Sequence, residues 1–224
     1  MSKVTAKAKE TQALILDTAL ELFRTDGFEK TTMRDVAAKA DLATGAAYYY
    51  YPSKDAIVMA FYERSHREMQ LQIQQAFDST SGLESRLRET IRVKLDYFTP
   101  NRGVLRALLR TGADPKHPLS PFSAETREIR EDDLKWFRQI VTDCDLRLPK
   151  DLAPHLPEVL WMFQMGVIYF WVTDDSEGQS RTWRLLELGA KTVTALLRFS
   201  ALPLTKPLRK VAIEVVELVK GSAS

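Results

Sequence analysis

Residues 44–57 read TGAAYYYYPSKDAI, which places four phenols in succession, Tyr48, Tyr49, Tyr50 and Tyr51, just ahead of Pro52, Ser53 and Lys54. Upstream, Thr32 and Arg34 add a hydroxyl and a guanidinium. These groups are mainly donors of hydrogen bonds. They suit the binding of anionic oxygens and base edges rather than the breaking of bonds. At 100° per residue four consecutive tyrosines cannot all face one way. Tyr51 is expected to pack inward, and the others are left on or near the surface, where exposed tyrosines need something to meet. Ser53 is a good N-cap and Asp55 suits the first turn of the helix it opens, but Lys54 opposes the helix dipole. A phosphate at that helix start would account for it, held by free N–H groups and the ammonium together.

Positioning these groups takes two short helices and a tight turn. Residues 33–40 form the first, with Thr32 as N-cap and Asp35 completing a capping box. Val36, Ala37 and Ala40 face inward. Asp41 and Leu42 make the turn, with Leu42 as an apolar plug. Residues 43–50 form the second helix, and Pro52 stops it. A further helix starts at Ser53 and continues to about residue 77. Ahead of them, residues 9–25 carry Ile15, Ala19, Leu22 and Phe23 at helical spacing. Gly27 is the expected C-cap, with Phe28 folding back onto Leu22 or Phe23. Residues 31–54 thus read as a helix-turn-helix, the element that lays one helix in the major groove of DNA. Lys3, Lys7 and Lys9 form either a solvated tail or an arm that reaches phosphates.

Composition sets limits on this reading. The chain has 224 residues, 45% of them hydrophobic, enough for one or two domains with a sizeable core. Its net charge is +2, and within residues 1–55 eight acids offset eight bases, so the bulk positive charge of many DNA binders is absent. Any DNA contact must rest on local placement of charge. A single cysteine, Cys144, rules out an internal disulfide and fits a cytoplasmic location. The opening MSKVTAKAKE lacks the apolar run of a signal peptide. The longest apolar run, 159–173, contains Gln164 and is shorter than the roughly 18 residues of a membrane span, so no membrane association is expected.

Residues 10–62 resemble the DNA-binding domain of the tetracycline-repressor (TetR) family of bacterial regulators. The resemblance lies in ILDTALELF (15–23), DGFEKTTMRDVA (26–37) and TGAAYYYYPSKDAI (44–57). Within the family pattern stand Gly45, Ala47, Tyr48, the groove-side pair Tyr49 and Tyr50, Tyr51, and Ser53 with Lys54. The resemblance implies phosphate contact at Tyr48 and Lys54. The chain departs from the pattern at Ala43, where serine is common, and at Thr44, Ala46 and Ala47, where lysine, threonine and leucine are. Gly45 and Ala46 offer no side-chain hydrogen bond. Base reading is therefore expected from Arg34, Thr44 and Tyr49, with Ala43 and Ala46 allowing close approach to thymine methyls. The expected interface is Thr32, Arg34, Thr44, Gly45, Ala46, Tyr48, Tyr49, Tyr50 and Lys54.

The remainder reads as all helix, over 83–98, 103–112, 121–144, 157–172, 180–201 and 204–220, punctuated by Pro100, Pro115, Pro118, Pro149, Pro154 and 174–178. The expected fold is all-α: a homeodomain-like three-helix domain at 1–55, a connecting helix at 53–77, and a helical domain at 78–224. The resemblance implies that the last of these binds a small molecule and dimerises. The 157–172 segment is apolar nearly all round and needs cover on several sides. The 180–201 segment carries Leu185, Leu186, Gly189, Val193, Leu196 and Leu197 along one side, with Gly189 and Ala190 allowing close helix approach. Two such helices meeting two from a twofold copy make a four-helix interface. The last helix has one stripe, Leu208, Val211, Val215, Leu218 and Val219, expected to dock on its own domain. Effector contacts are expected from Tyr97, Trp136, Phe137, Met162, Gln164, Met165 and Tyr169, with Trp183 nearby, which suits an apolar or aromatic effector. Arg106 and Arg110 form a basic pair expected on a solvated face.

No catalytic constellation appears. His66, His117 and His155 are far apart and lack metal-ligand spacing, and no GxSxG or CxxC occurs. Asp132-Asp133 and Asp174-Asp175 read as solvated turns or helix surface. No metal, cofactor or enzyme activity is expected. The expected function is a ligand-responsive transcriptional repressor that binds a palindromic operator in double-stranded DNA as a homodimer. The alternative is a helical small-molecule carrier or adaptor, which leaves Tyr48, Tyr49 and Lys54 without a role.

Overall fold

In the computed structural model, which describes residues 6–112, 114 and 116–221, α1 spans Ala6–Thr25 and buries Ile15, Ala19, Leu22 and Phe23. These positions recur every three or four residues and so form one face of the helix. Gly27 ends it at φ +91°, where a side chain would be strained. Phe28 then returns onto Phe23, edge to face, with ring centroids 5.0 Å apart. Lys3, Pro115 and the Val219 side chain lie outside the described residues.

α2 (Met33–Lys39) and α3 (Thr44–Tyr50) follow, then α4 (Lys54–Ser79), α5 (Leu83–Phe98), α6 (Arg102–Thr111), α7 (Arg127–Thr142), α8 (Leu156–Thr173), α9 (Ser180–Ser200) and α10 (Lys206–Gly221). No strand occurs among the described residues, and the fold is all-α. α7 begins six residues later than the sequence pattern suggests. Between 118 and 126 the hydroxyls of Ser123 and Thr126 donate to the Pro118 and Ser120 carbonyls, at 3.0 and 2.6 Å. These bonds hold the backbone in turns and compete with the helix.

The chain divides into two compact units. The first comprises the described parts of Met1–Ser65 and Pro100–Thr126; the second comprises His66–Thr99 and the described parts of Arg127–Ser224. α4 contributes to both. In the first unit α1, α2, α3 and the start of α4 enclose Ile15, Val36, Ala37, Ala47, Tyr51, Ile57 and Phe61. α6 joins α1 through Arg24, whose guanidinium donates to Asn101 Oδ1 at 3.0 Å.

In the second unit α5, α7, α8 and α9 pack on one another around Leu87, Ile91, Phe137, Leu160, Trp171, Leu186 and Ala190. α9 splits its apolar residues between two faces. Leu186, Ala190 and Leu197 are buried, whereas Leu185, Leu188, Leu196 and Phe199 are exposed. Gly189 meets its own chain: a Cβ there would lie 2.6 Å from Phe163 of α8. Its small size is used for the α8–α9 approach within one subunit.

Two expectations are corrected in this unit. Asp174 is buried at 5% exposure rather than solvated. Its carboxylate accepts from Thr182 N–H and hydroxyl, at 2.9 and 2.7 Å, and from Ser176 N–H and hydroxyl, at 3.0 and 2.7 Å. Gln179, the N-cap residue of α9, has no side-chain cap of its own, so Asp174 supplies it from upstream. α10 does not bury its stripe either. Leu208, Val211, Val215 and Leu218 are 54–72% exposed; Val216 is buried, and Arg209 pairs with Asp151 and donates to the Ser200 carbonyl.

Candidate nucleic-acid interface

The turn between α2 and α3 is set by backbone bonds. Asp41 adopts φ +54°, its N–H donates to the Ala38 carbonyl at 3.2 Å, and Leu42 N–H donates to the Ala37 carbonyl at 2.9 Å. Asp tolerates this left-handed conformation better than most residues. Leu42 is partly exposed, so Ala37 and Ala47, both fully buried, do more than Leu42 to close the two helices together.

α2 is capped as its sequence requires. The Thr32 hydroxyl and N–H both donate to Asp35 Oδ2, at 2.7 and 2.8 Å, and Asp35 N–H donates back to Thr32 Oγ1 at 3.2 Å. These bonds from Thr32 hold the Asp35 carboxyl below its ordinary value. The Thr32 hydroxyl proton is therefore occupied, and the residue can meet DNA only as an acceptor or through its methyl. Arg34, in the first turn of α2, is exposed and enters no salt bridge among the described residues. By contrast Lys39 pairs with Glu21 at 2.7 Å, and Arg64 pairs with Asp17 at 2.5 Å.

α3 opens at Ala43 with no side-chain cap. Thr44 and Gly45 are exposed, Ala46 is partly so, and Ala47 is fully buried. The tyrosines divide as helical geometry demands. Tyr51 is buried, and its hydroxyl donates to the Gln12 carbonyl at 3.3 Å. Tyr48 and Tyr49 are 50% and 82% exposed. Tyr50 is intermediate and meets Tyr49 edge to face at 5.2 Å. Thr44, Gly45 and Ala46 are small residues in the first turn, and Tyr48, Tyr49 and Tyr50 stand one turn further along the same faces.

Lys54 takes a role that its sequence position does not announce. Its ammonium donates to the Phe28 carbonyl at 2.6 Å and the Glu29 carbonyl at 3.4 Å, and lies 4.5 Å from the Phe28 ring centre. It ties the start of α4 to the loop that follows α1. Ser53 caps α4 as expected, accepting from Ala56 N–H at 3.1 Å.

The residues proposed for an effector are only partly brought together. Trp136, Phe137 and Gln164 are buried, and Met162 and Met165 are half-buried. Tyr97 donates its hydroxyl to Glu68 at 2.5 Å, Tyr169 is 51% exposed, and the Trp183 indole N–H is bound to the Gly178 carbonyl. None of them lines the open groove of about 640 Å3 between α4 and α5, whose walls are Gln72, Gln75, Ser79, Glu89, Arg92 and Asp96.

The sequence reading missed a charged cluster in the second unit. Asp133, expected on the surface, sits within α7 beside buried Trp136 and Phe137. It accepts from Lys94 of α5, and from the Gln164 amide of α8 at 3.3 Å. His66 Nδ1 of α4 lies 3.6 Å from its other oxygen, and the His66 ring stacks on Trp136 at 4.3 Å. Burial pushes the Asp133 carboxyl up, but Lys94 and His66 outweigh it and hold it below the ordinary range. The clue was spacing: Lys94 falls three residues after Ile91, and Asp133 falls four before Phe137, both on faces that are otherwise apolar.

A helix-turn-helix unit followed by a separate helical unit is the build of a DNA-binding regulator with its own control domain. Residues 15–61 match the family described as bacterial regulatory proteins, tetR family, and residues 86–218 match the tetracyclin repressor-like C-terminal domain. The chain belongs to the TetR family of transcriptional regulators. It is 28% identical over 185 residues to the regulator TtgR of Pseudomonas putida, covering 80% of this chain and 83% of that one. It is 35% identical over 99 residues to a probable acrEF/envCD operon repressor of Escherichia coli, covering 42% of this chain and 43% of that one. Other matches are partial: that to the uncharacterized regulator YuxN of Bacillus subtilis, 38% identical over 52 residues, covers 23% of this chain and 18% of that protein. A TetR regulator structure from Nitrosomonas europaea superposes with a TM-score of 0.63 at 24% identity, covering 83% of this chain and 98% of the other. Among the described residues no helix is long and apolar enough to cross a membrane.

Proposed function

We propose that the chain binds a palindromic operator as a homodimer, through a DNA-binding domain at 1–55, and represses transcription by occupying that site. A small, largely apolar effector bound by the 78–224 domain lowers the affinity. The observation that carries this reading is the exposed set on α2 and α3. Arg34, Thr44, Tyr48 and Tyr49 are exposed on the helix-turn-helix, while the neighbouring cations Lys39 and Lys54 are paired or bonded. Arg34, Thr44 and Tyr49 then read base edges with Tyr50 beside them on the groove side, Tyr48 contacts the backbone, and Gly45 and Ala46 permit close approach. Lys54 has one N–H left for a phosphate.

Dimerisation is supported by the apolar side chains left uncovered on α8 and α9: Tyr169, Phe170, Leu185, Leu188, Leu196 and Phe199. A subunit of this size rarely leaves such a set open to water. One short recognition helix spans few base pairs, and a twofold pair reads a palindrome.

The test is footprinting on DNA upstream of the chain's own gene across a range of salt. The expected result is protection of a palindrome, with affinity falling as a power of salt concentration. A protein that takes up small molecules but protects no DNA at low salt would be a carrier, and the regulatory reading would fail.

A further inference from the structure

Lys94, Asp133, His66 and Gln164 form a polar cluster beside the buried rings of Trp136 and Phe137 in the second unit. Four helices supply it, one residue from each of α4, α5, α7 and α8. Lys94 is 4% exposed and Gln164 is fully buried. A buried ion pair of this kind stabilises no better than well-packed apolar residues of the same volume, so its retention calls for another reason. Buried charges gathered among aromatic residues are a usual mark of a binding site.

An inventory of the cluster shows what is missing. Asp133 Oδ2 accepts from both Lys94 and the Gln164 amide nitrogen. The Gln164 orientation follows from that bond, since the amide oxygen would face a carboxylate if reversed. Gln164 Oε1 is then left buried with no hydrogen-bond partner, as is His66 Nδ1. His66 Nδ1 faces the Asp133 carboxylate at 3.6 Å, so the acceptor left without a donor is Gln164 Oε1. Charge, on the other hand, is already balanced: the Lys94 ammonium and the Asp133 carboxylate neutralise each other. The Trp136 ring is already engaged by the stacked His66 ring at 4.3 Å and by the Lys94 ammonium at 5.3 Å.

We propose that this cluster is the polar end of the effector site, and that it takes an uncharged headgroup that donates a hydrogen bond, an alcohol or a neutral N–H, to Gln164 Oε1. This rests on reading the second unit as the effector-binding domain. A cationic headgroup would stand beside Lys94 and an anionic one beside Asp133, and either would leave one buried charge without its match. A neutral donor satisfies the orphan acceptor and leaves the ion pair intact. An ether of the same shape would leave Gln164 Oε1 as it is and exclude any water from it, which is why the site should reject it. Access runs along α4 and α7, where the His66 and Asp133 side chains keep 17% and 13% of their surface exposed. The half-buried Met162 and Met165 on α8 can shift to admit an apolar body.

The test uses the full-length protein and two apolar carriers, octyl and 4-phenylbutyl, each ending in a hydroxyl, a methyl ether, a carboxylate or an ammonium group. Binding is read by calorimetry and by the shift in melting temperature. The expected result is that the alcohols bind roughly tenfold more tightly than the matching ethers and more tightly than either charged form. In Gln164→Met, which keeps the volume, the alcohols fall to the affinity of the ethers. Equal binding of alcohol and ether by the unaltered protein, tighter binding of a carboxylate or an ammonium, or no binding by any of the eight compounds would overturn the proposal. The ranking on the unaltered protein decides this even if Gln164→Met folds poorly. The regulatory reading is scored separately, by the footprint without ligand: a protected operator with no preference for alcohols sinks only the headgroup assignment.

Discussion

The Lys54 ammonium commits two of its three N–H groups to the Phe28 and Glu29 carbonyls, and one donor is left for a phosphate. Replacing it with alanine should therefore do two things. It should weaken binding to all DNA sequences about equally, and it should cost about 1–2 kcal/mol of stability, read by urea unfolding. Arg34→Ala should differ on both counts. Its side chain is exposed and outside any described salt bridge, so stability should stay within about 0.5 kcal/mol. Competition binding should show relaxed preference at one operator position. Equal loss across all sequences from Arg34→Ala would remove it from base reading. Thr32→Ala should cost about 1 kcal/mol through the lost cap of α2 and leave the order of preferred sequences unchanged. The division of the tyrosines was legible in the residues, since the helical period requires Tyr51 inside and Tyr49 out. The Lys54 bonds were not legible, because they depend on where the loop after α1 returns, and that is fixed by packing of Phe28 rather than by local spacing.

At the scale of elements, α9 depends on a cap supplied from upstream and on a close approach to α8. Asp174 caps it through Thr182, and the bonds from Thr182 and Ser176 overcome burial, holding the carboxyl well below the ordinary carboxylate range. A depressed folded value means the carboxylate's contribution is present above the ordinary carboxylate value and is lost as pH falls through the lower, folded one. The stability of Asp174→Asn should be lower than that of the unaltered protein at neutral pH. The gap should narrow as the solution is acidified; a gap that widens in acid would contradict this role. Gly189 is the second feature. Alanine would gain about 1 kcal/mol in helix propensity, but its Cβ would stand 2.6 Å from the Phe163 ring. Displacing that ring costs about 1–3 kcal/mol, so Gly189→Ala should be destabilising on balance in thermal melts. Helix positions were largely legible from apolar period and proline punctuation. The start of α7 was not, because hydroxyl-to-carbonyl bonds at Ser123 and Thr126 decide it. Asp133 and Asp174 were misplaced to the surface for a related reason: adjacent acidic pairs read as solvated unless the buried partner, here Lys94 or Thr182, is known from the fold.

For the molecule as a whole, the apolar surface left open on α8 and α9, like the exposed stripe of α10, is a feature that a single chain leaves unexplained. If a second copy covers it, a charge placed there should separate the subunits without unfolding them. Leu196 is 62% exposed, and Leu196→Glu should sediment as a folded monomer with an unchanged helical spectrum. The same variant should lose operator affinity, since two recognition helices no longer act together. The most direct test of the central claim is a footprint of the unaltered protein on the DNA upstream of its own gene, titrated from low to high salt. Protection of a palindrome with two half-sites a helical turn or a multiple apart, weakening steeply with salt, is the predicted result. No protection at low salt, or protection indifferent to both sequence and salt, would contradict it.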